Sequence, residues 1–474
     1  MTDLHDLCKF QRAIDDSYVD ELKHYLKSGI PATYTTEEAY NYLNNIDEEP
    51  VSTTTPLHLI CKHIPKDVSK QDLLIVEKMV DLLFEYGAGW CLIDKDNDTP
   101  GCILIKRNLK HLSLYDQIVQ AGIRAELLLR KVDEYDMEII ENGGFEEFEL
   151  EGIKQKEGLT ETSEENEIKE EEKAEEEEEE EEEEEADAGA DQKSRSVLEN
   201  DILEAIEPPT HVSAEDSHNS DQSTDSNDRY DAPDAPSHNQ NTYLKTKLEY
   251  TDDSLITKDR KDGVMMSWET DLMQLGCDTL FEGSVVDQET QELDSEINIL
   301  NIGFGMGIID KMIQLKNPTK HYICEAHPDV LKKLKQDGWY EKPNVVILEG
   351  RWQDNLDFLL SSGVFFNGIY YDTFSENYQD MLELFDYIVG LLKPHGVFSF
   401  FNGLGADRQV IYEVYKQLVE IDLGNYGLKC SFKEIEVSDS TLNKGNKSVW
   451  DDVKRSYWSC PIYYHPTVKF IDFE

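Results

Sequence analysis

The chain lacks paired cysteines, membrane-length apolar runs and a recognisable leader. Its eight cysteines form no Cys-x-x-Cys pair and no zinc-ligand spacing, which favours reduced core thiols and no bound metal. No apolar run reaches the roughly 20 residues that cross a bilayer. Residues 1–6 have neither the basic nor the apolar region of a signal peptide. These absences predict a soluble protein of the cytoplasm and nucleus, with no membrane partner.

Positive charge is also scarce. The 474 residues include 100 Asp and Glu but only 45 Lys and Arg, which gives a formal net charge of −55. Residues 151–240 hold 33 of the acids and 7 of the bases, so the rest of the chain is acidic as well. Such a charge argues against nucleic acid as a direct ligand and favours basic proteins as partners.

Residues 151–235 are predicted to form a disordered acidic linker. Eleven consecutive glutamates at 175–185 repel one another, and the residues after them are rich in Ser, Asp, Asn and Pro. This composition cannot bury enough apolar surface to form a core. The acids could attract a basic substrate, but a solvated spacer is the simpler interpretation.

Residues 1–150 are predicted to form a small all-α, ankyrin-repeat-like domain. Residues 55–61 (TPLHLIC) resemble the start of an ankyrin repeat, and a second Thr-Pro turn at Thr99 and Pro100 precedes an atypical Gly101. The two turns are 44 residues apart rather than about 33, which indicates an insertion. A generic helical domain is the alternative.

Residues 236–474 alternate short apolar runs with amphipathic segments. Five runs have the length of buried parallel strands: 297–302, 321–324, 344–348, 367–371 and 397–401. Helices are predicted at 308–315 and 378–392, and two more strands near 426–434 and 457–464. This order predicts a doubly wound, seven-stranded Rossmann-like α/β domain that binds ligands at the carboxyl ends of its strands.

Three glycines at alternate positions, Gly303, Gly305 and Gly307, follow the first of these strands. They permit a tight turn into a helix and a close approach of the backbone to a ligand. Glu325 ends the second strand, 22 residues after Gly303, where an acid suits a ribose diol. Because Ile308 stands where the dinucleotide fingerprint has its last glycine, the spacing favours a nucleoside cofactor without a pyrophosphate.

Further side chains follow the other strands at the same predicted edge. Ala326 and His327 come after the second strand, Trp352 and Gln353 after the third, and Asp372 after the fourth. A ribose-binding acid, an aromatic side chain for the base and an acid near the reacting centre suit S-adenosylmethionine. Singly, Trp352 could be a packed aromatic and Asp372 a helix cap, so the ordered set is more specific than its members.

Several motifs together resemble a known family. The resemblance to guanidinoacetate methyltransferase is carried by five segments: 263–270 (GVMMSWET), 303–308 (GFGMGI), 325–327 (EAH), 371–373 (YDT) and 392–396 (LKPHG). With its ankyrin-like N-terminus, the whole chain resembles the fungal protein arginine N5-methyltransferases, which methylate the δ nitrogen of arginine. Residues 282–296 look like a small insertion before the first strand.

The resemblance implies a class I methyltransferase domain that uses S-adenosylmethionine and no metal. An arginine-containing protein, with ribosomal proteins as the suggested class, is the implied substrate, and a monomer is expected. Glu269 and Asp372 would flank the guanidino group, and either Met265 or Met266, with Met266 preferred, would contact the cofactor. The implied cofactor-binding residues are Tyr243, Met266, Gly303, Phe304, Gly305, Met306, Gly307, Ile308, Glu325, Ala326, His327, Trp352, Gln353 and Asp372.

The chemistry of the resemblance is consistent with two carboxylates. A guanidinium is a poor nucleophile, but a bidentate fork can hold its terminal nitrogens and leave the internal nitrogen free to attack. Guanidinoacetate is methylated at the nitrogen that also carries the acetate carbon, and the equivalent atom of arginine is Nδ. The alternatives are a methyltransferase for a small guanidino compound, an inactive ankyrin adaptor and a nucleotide-dependent oxidoreductase. The intact glycines and acids argue against an inactive adaptor, and Ile308 and Asp372 argue against an oxidoreductase.

Overall fold

The computed structural model describes residues 7–134, 235–287, 292–442, 448–451, 453–454 and 456–471. The acidic linker predicted for residues 151–235 lies outside these residues, except at its last position. Within the described part of the chain, no helix is long and apolar enough to span a bilayer. The described residues on the two sides of the acidic segment belong to one compact unit.

The N-terminal part is helical, and both Thr-Pro turns begin helices. Thr55 and Thr99 are N-caps whose hydroxyls accept a backbone N–H three residues ahead, and Pro56 and Pro100 follow at the first helical position. A proline there loses no hydrogen bond. The helices of this part are α1 (Ser17–Leu26), α2 (Thr36–Asn44), α3 (Pro56–His63), α4 (Lys70–Glu85), α5 (Pro100–Lys106) and α6 (Ser113–Glu134).

A small antiparallel sheet precedes the main sheet. It follows the short helix α7 (Gln240–Tyr243), and its register pairs Leu255 with Met265. The predicted insertion at 282–296 contains a two-stranded ribbon. The elements are β1 (Leu248–Tyr250), β2 (Ser254–Thr257), β3 (Gly263–Met266), α8 (Thr270–Glu282), β4 (Val285–Asp287) and β5 (Glu292–Leu293).

The main sheet has seven strands, as the sequence predicts. Its strands are β6 (Asn298–Ile302), β7 (Lys320–Glu325), β8 (Val345–Glu349), β9 (Phe366–Tyr371), β10 (Leu392–Phe400), β11 (Leu428–Glu436) and β12 (Ile462–Phe470). The helices between them are α9 (Ile308–Leu315), α10 (Pro328–Gln336), α11 (Trp352–Ser361), α12 (Tyr378–Leu391) and α13 (Gln409–Asn425).

The strand order is β11-β12-β10-β9-β6-β7-β8. The strands from β6 to β10 pair in parallel, whereas β12 is antiparallel to both β10 and β11. The order reverses between β6 and β9, so the loops after these two strands diverge and leave a crevice. This is the doubly wound α/β architecture that the sequence predicts.

Several predicted boundaries are different in the structure. The strands predicted near 426–434 and 457–464 lie at Leu428–Glu436 and Ile462–Phe470, so Tyr457 precedes β12 instead of beginning it. The sequence predicts that Pro394 closes a helix that extends to Leu392. In the structure α12 ends at Leu391, and β10 begins at the next residue and includes Pro394. The register between β9 and β10 shifts between Leu392 and Val397. A proline is tolerated at such an irregular strand start because the ladder needs no N–H there.

The N-terminal helices and the sheet share one hydrophobic core. A Cβ on Gly101 of α5 would lie 2.6 Å from Cγ2 of Val410, and a Cβ on Gly122 of α6 would lie 2.8 Å from Cγ2 of Val414. The two glycines therefore let α5 and α6 approach α13 closely. Buried apolar residues of both parts form one continuous cluster, which the sequence analysis did not predict.

Candidate active site

A cleft opens at the carboxyl ends of β6 and β9, at the switch point where ligands bind in open α/β sheets. Its empty volume, including the part open to solvent, is about 550 Å³. The predicted residues at its wall are Tyr243, Gly303, Gly305, Glu325, Ala326, Trp352 and Asp372. The other lining residues are Gln240, Val264, Met265, Ile302, Cys324, Gly350, Arg351, Thr373, Phe374 and Glu376.

The three predicted glycines form the turn between β6 and α9. All three have positive φ, and Gly307 is the N-cap of α9. A Cβ on Gly303 would lie 1.9 Å from the backbone oxygen of Asp372, and a Cβ on Gly305 would lie 2.8 Å from Cε of Met265. A side chain at Gly303 would collide with backbone, and one at Gly305 would displace the flexible end of Met265 and fill space at the cleft wall, so glycine brings the bare backbone to the ligand.

Other predicted residues of this segment support the turn instead of lining the cleft. Phe304 is buried, and its backbone oxygen accepts the N–H of Gly307 at 2.7 Å. The N–H of Met306 lies 3.2 Å from Sδ of Met265. Ile308 is the first residue of α9. These contacts fix the shape of the backbone that the cofactor would meet.

Glu325 ties the glycine turn to the end of β7. One carboxylate oxygen accepts the N–H of Phe304 at 2.9 Å, and the other accepts the N–H of His327 at 2.6 Å. Burial raises the pKa of Glu325, and these backbone N–H donors oppose that shift. The backbone of Gly305 and of Ala326 also hydrogen-bonds to this carboxylate, so a charged acceptor stands where the hydroxyls of a ribose would bind.

His327 lies behind the cleft wall and holds Tyr243 in place. Its Nδ1 accepts the N–H of Asp329 at 3.1 Å, so Nε2 is assigned the hydrogen that points to the backbone oxygens of Tyr243 and Thr246. The two rings pack with centroids 4.7 Å apart. Burial lowers the pKa of His327. The predicted role of His327 at the cofactor is therefore indirect.

The two methionines of β3 lie on different sides of the strand. Met265 lines the cleft, whereas Met266 is buried in a separate cluster with Trp450 and Trp458. Successive side chains of a strand point in opposite directions, so only one of the pair can face the cofactor. This corrects the preference for Met266, because Met265 is the methionine at the cleft.

Trp352 forms the aromatic part of the wall. Its indole nitrogen donates to the carboxylate of Glu376 at 3.0 and 3.1 Å, and the same carboxylate accepts the hydroxyl of Tyr371. The neighbouring Gln353 is not among the lining residues. Its side-chain amide is buried, and neither polar atom has a hydrogen-bond partner. The orientation of Trp352 is thus fixed by a bifurcated hydrogen bond from its single N–H before any base stacks on it.

Glu269 and Asp372 form an acidic pair. Glu269 is 3% exposed and accepts a hydrogen bond from the hydroxyl of Tyr457. Burial, followed by repulsion from Asp372, raises the pKa of Glu269 well above its usual range. Burial, followed by the charges of Asp310 and Glu325, raises the pKa of Asp372 to about 7. Glu269 is buried, whereas Asp372 is half-buried with a buried Oδ2, and two carboxylates that repel each other form a site that favours a cation.

Several site residues were not found from the sequence. The hydroxyl of Tyr250 donates to the backbone oxygen of Gly305 at 2.9 Å, and the ring of Phe374 packs on Tyr243 at 4.9 Å. Glu376 could have been noticed as another acid shortly after β9. Tyr250 gives no sequence signal, because its contact joins residues 55 positions apart.

The polar groups of the cleft fit S-adenosylmethionine. Oδ2 of Asp372 is buried without a hydrogen-bond partner, and Glu325 and Glu376 are also at the wall. An acidic wall favours a cation such as a sulfonium, and the glycine turn with a ribose-binding acid favours a nucleoside. S-adenosylmethionine carries both groups.

Comparisons with known proteins also indicate a methyltransferase. The sequence model of the guanidinoacetate N-methyltransferase family matches residues 245–467. Two solved O-methyltransferases are similar to part of the chain at TM-scores below 0.5. The enzyme TomG of Streptomyces achromogenes, in complex with SAM, has a TM-score of 0.29 and 15% identity over 44% of this chain and 82% of that one. The O-methyltransferase of Bacillus cereus, in complex with SAH, has a TM-score of 0.30 and 12% identity, also over 44% of this chain and 82% of that one.

Curated relatives align with the chain from end to end. Protein arginine N-methyltransferase 2 of Debaryomyces hansenii is 60% identical over 100% of both chains. The proteins of the same name in Saccharomyces cerevisiae and Candida glabrata are each 45% identical over 99% of this chain and 100% of their own. On this full-length similarity, the chain belongs to the protein arginine N-methyltransferase 2 family.

Proposed function

We propose that the protein transfers a methyl group from S-adenosylmethionine to the δ nitrogen (N5) of arginine residues in proteins. The observation that carries this proposal is a pair of acids next to a nucleoside-type cleft: Glu269 is buried, and Asp372 is half-buried with a buried Oδ2. The unpartnered Oδ2 of Asp372 is an acceptor that a guanidinium N–H would satisfy. A pair of this kind costs free energy until a cation binds to it.

The cofactor is S-adenosylmethionine, which supplies an electrophilic methyl group on its sulfonium. Glu325 would accept the two ribose hydroxyls, and the backbone at Gly303 and Gly305 would let the ligand approach β6. Trp352 would stack on the base, and Met265 would close the side formed by β3. The acid side chains of the wall would favour the positive charge of the sulfonium over a neutral ligand.

Two carboxylates can select the δ nitrogen by occupying the others. Glu269 and Asp372 each accept N–H bonds from a terminal guanidinium nitrogen, so positive charge gathers on those nitrogens. The lone pair of Nδ is then the free nucleophile. The new bond joins Nδ to the methyl carbon while the sulfur keeps the electrons of the bond that breaks. Asp372, with a pKa near neutrality, is suited to accept the proton that Nδ loses.

The N-terminal helices favour a protein substrate over a small guanidino compound. A small-molecule enzyme has no evident need of α1–α6, which pack on the catalytic sheet through α13. We interpret these helices as an ankyrin-like module that binds a basic protein, with ribosomal proteins as the suggested class. A small guanidino substrate is the second candidate, because the guanidinoacetate N-methyltransferase model matches the sheet domain. Cytoplasm and nucleus remain the proposed locations.

Fragmentation mass spectrometry of the product tests the proposal. Purified full-length protein is incubated with S-adenosylmethionine and arginine-containing basic proteins, with guanidinoacetate as the competing substrate. We expect δ-monomethylarginine and no asymmetric ω-dimethylarginine, because the carboxylate pair occupies the terminal nitrogens. Glu269→Gln keeps the shape but removes one charge, and it should slow methylation roughly 30- to 1000-fold. An ω-methylated product, or methylation of guanidinoacetate alone, would reject the proposal.

A further inference from the structure

The segment between β11 and β12 brings Tyr457 to the acidic pair. The ring of Tyr457 packs edge-on against Trp450, with centroids 4.7 Å apart, and lies 6.2 Å from the ring of Trp268. Trp268 immediately precedes Glu269 in the chain. A Cβ on Gly263 would lie 3.0 Å from Cε1 of Tyr457, so the strand that carries Met265 leaves room for this ring.

The hydroxyl of Tyr457 donates to Oε1 of Glu269. The contact joins residues 188 positions apart, and neither the sequence motifs nor the resemblance includes Tyr457. The hydrogen bond occupies one oxygen of the carboxylate and fixes its plane. A backbone hydrogen bond from Met266 also acts on this carboxylate, and its remaining lone pairs are left for a guanidinium N–H.

The surroundings of Glu269 are mostly unfavourable to its charge, although a hydrogen bond from the backbone of Met266 lowers its pKa. The charged or titratable groups that face it are Asp372 after β9, Tyr370 within β9, Tyr463 on β12 and Tyr457. Asp372 repels the carboxylate, and burial removes its hydration. The hydrogen bond from Tyr457 has the opposite effect, because it lowers the pKa of Glu269.

We propose that Tyr457 is a positioning residue of the arginine site, which holds Oε1 of Glu269 and favours the ionised form of this carboxylate for the incoming guanidinium. This inference rests on the proposed function, because it assumes that Glu269 binds the arginine. Tyr457 is not among the residues that line the cofactor cleft. It therefore acts on the acceptor substrate and not on S-adenosylmethionine.

Tyr457→Phe removes only the hydroxyl and tests this role. A hydrogen bond to a buried charge is worth about one to two pH units of pKa. We measure the pH profile of kcat/KM for an arginine peptide and expect the inflection on its acidic side (the acidic limb) to move to higher pH by about that amount. The KM for the peptide should rise roughly 10-fold at neutral pH, while the Kd for S-adenosylmethionine, measured by calorimetry, changes less than about twofold.

Two further variants separate positioning from folding. Tyr378→Phe makes the same change at another buried phenol–carboxylate pair, because the hydroxyl of Tyr378 donates to Asp422, away from the cleft. Its pH profile should match that of the wild type. Gly263→Ala should displace the ring of Tyr457 slightly and change KM and the pH profile in the same direction as Tyr457→Phe, but by less.

The outcomes are distinct. An unchanged acidic limb and KM in Tyr457→Phe would overturn the inference, and so would a parallel loss of cofactor affinity and thermal stability, which indicates a purely structural role. If the wild-type protein methylates no arginine δ nitrogen, the proposed function fails irrespective of Tyr457. A δ-methylating wild type with an unaffected Tyr457→Phe variant rejects only the positioning role.

Discussion

Nη1 of Arg130 on α6 lies 2.8 Å from Oδ2 of Asp422 on α13, and the same oxygen accepts the hydroxyl of Tyr378 at 2.6 Å. Asp422 is 6% exposed, so Arg130→Ala removes the cationic partner of a buried carboxylate. We expect the free energy of unfolding to fall by about 2–3 kcal/mol in urea titrations. Lys110→Ala, which breaks a more exposed pair with Glu413, should cost less than about 1 kcal/mol. Equal losses in the two variants would contradict the importance of this contact.

Glu325→Ala should weaken cofactor binding more than it slows the chemical step. Two charge-assisted hydrogen bonds to ribose hydroxyls and the anchored turn are lost together, so the Kd should rise roughly 10- to 100-fold. Calorimetry measures the Kd, and turnover at saturating cofactor should recover most of the wild-type rate. Glu349, which pairs with Glu325 in the register of β7 and β8 but is exposed, is the matched control. Glu349→Ala should bind normally, and failure of saturating cofactor to restore Glu325→Ala would refute the ribose role.

Gly305→Val should abolish cofactor binding. The glycine has φ +53°, and even a Cβ would lie 2.8 Å from Met265 at the cleft wall. Gly363 has a similar φ of +64° but has no atom within 4 Å of its Cβ position. Gly363→Val therefore tests backbone strain without a collision, and it should lose some stability while retaining cofactor affinity. If both variants bind alike, the close approach at Gly305 is not required.

Asp372→Asn should lower kcat/KM for an arginine peptide by roughly 30- to 1000-fold. In the wild type, kcat/KM should rise with pH through about 7, because burial raises the pKa of Asp372 to that value and the guanidinium needs the ionised form. A profile without an inflection near neutrality would argue against this carboxylate as the titrating group. Since Glu269 and Asp372 interact, the inflection belongs to the pair.

Ionisation of Asp372 should lower the stability of the fold, although it favours activity. The pKa of Asp372 is above its ordinary 3.8, so its contribution to stability is complete below about pH 4 and is lost as the pH rises through about 7. The Asp372→Asn variant has no carboxyl group to ionise at this position, so it does not lose this stability as the pH rises. We expect its Tm to exceed that of the wild type at pH 8 by several °C and the difference to shrink at pH 5. Scanning calorimetry at the two pH values measures both.

The strands and the glycine turn could be predicted because their signals are local. A buried parallel strand is a short apolar run, and the turn after β6 requires glycine at fixed positions, so α9 begins and ends where the sequence predicts it. The choice between Met265 and Met266 could not be made, because it depends on which face of β3 meets the turn. That face is set by the register of β3 with β2.

Contacts between distant segments could not be predicted from the sequence, because they depend on how the chain folds back on itself. Tyr457 reaches Glu269 only because β12 returns beside β10, and Gly101 meets Val410 only once α5 has packed on α13. In each case the residue types are common, and the number of positions between the contacting residues matches no helix, strand or repeat period. The atypical Gly101 suggested a degenerate repeat, whereas the structure shows a point of close helix approach.

The continuous core between α5, α6 and α13 has a consequence for a cleaved chain. Val410 and Val414 are fully buried, so the separated sheet domain would expose an apolar face that water disfavours. A protease site inserted within residues 151–235 should therefore yield two fragments that co-elute on gel filtration and melt in a single transition. Separately expressed halves should reassociate and recover methyl transfer on mixing, in the manner of a split enzyme.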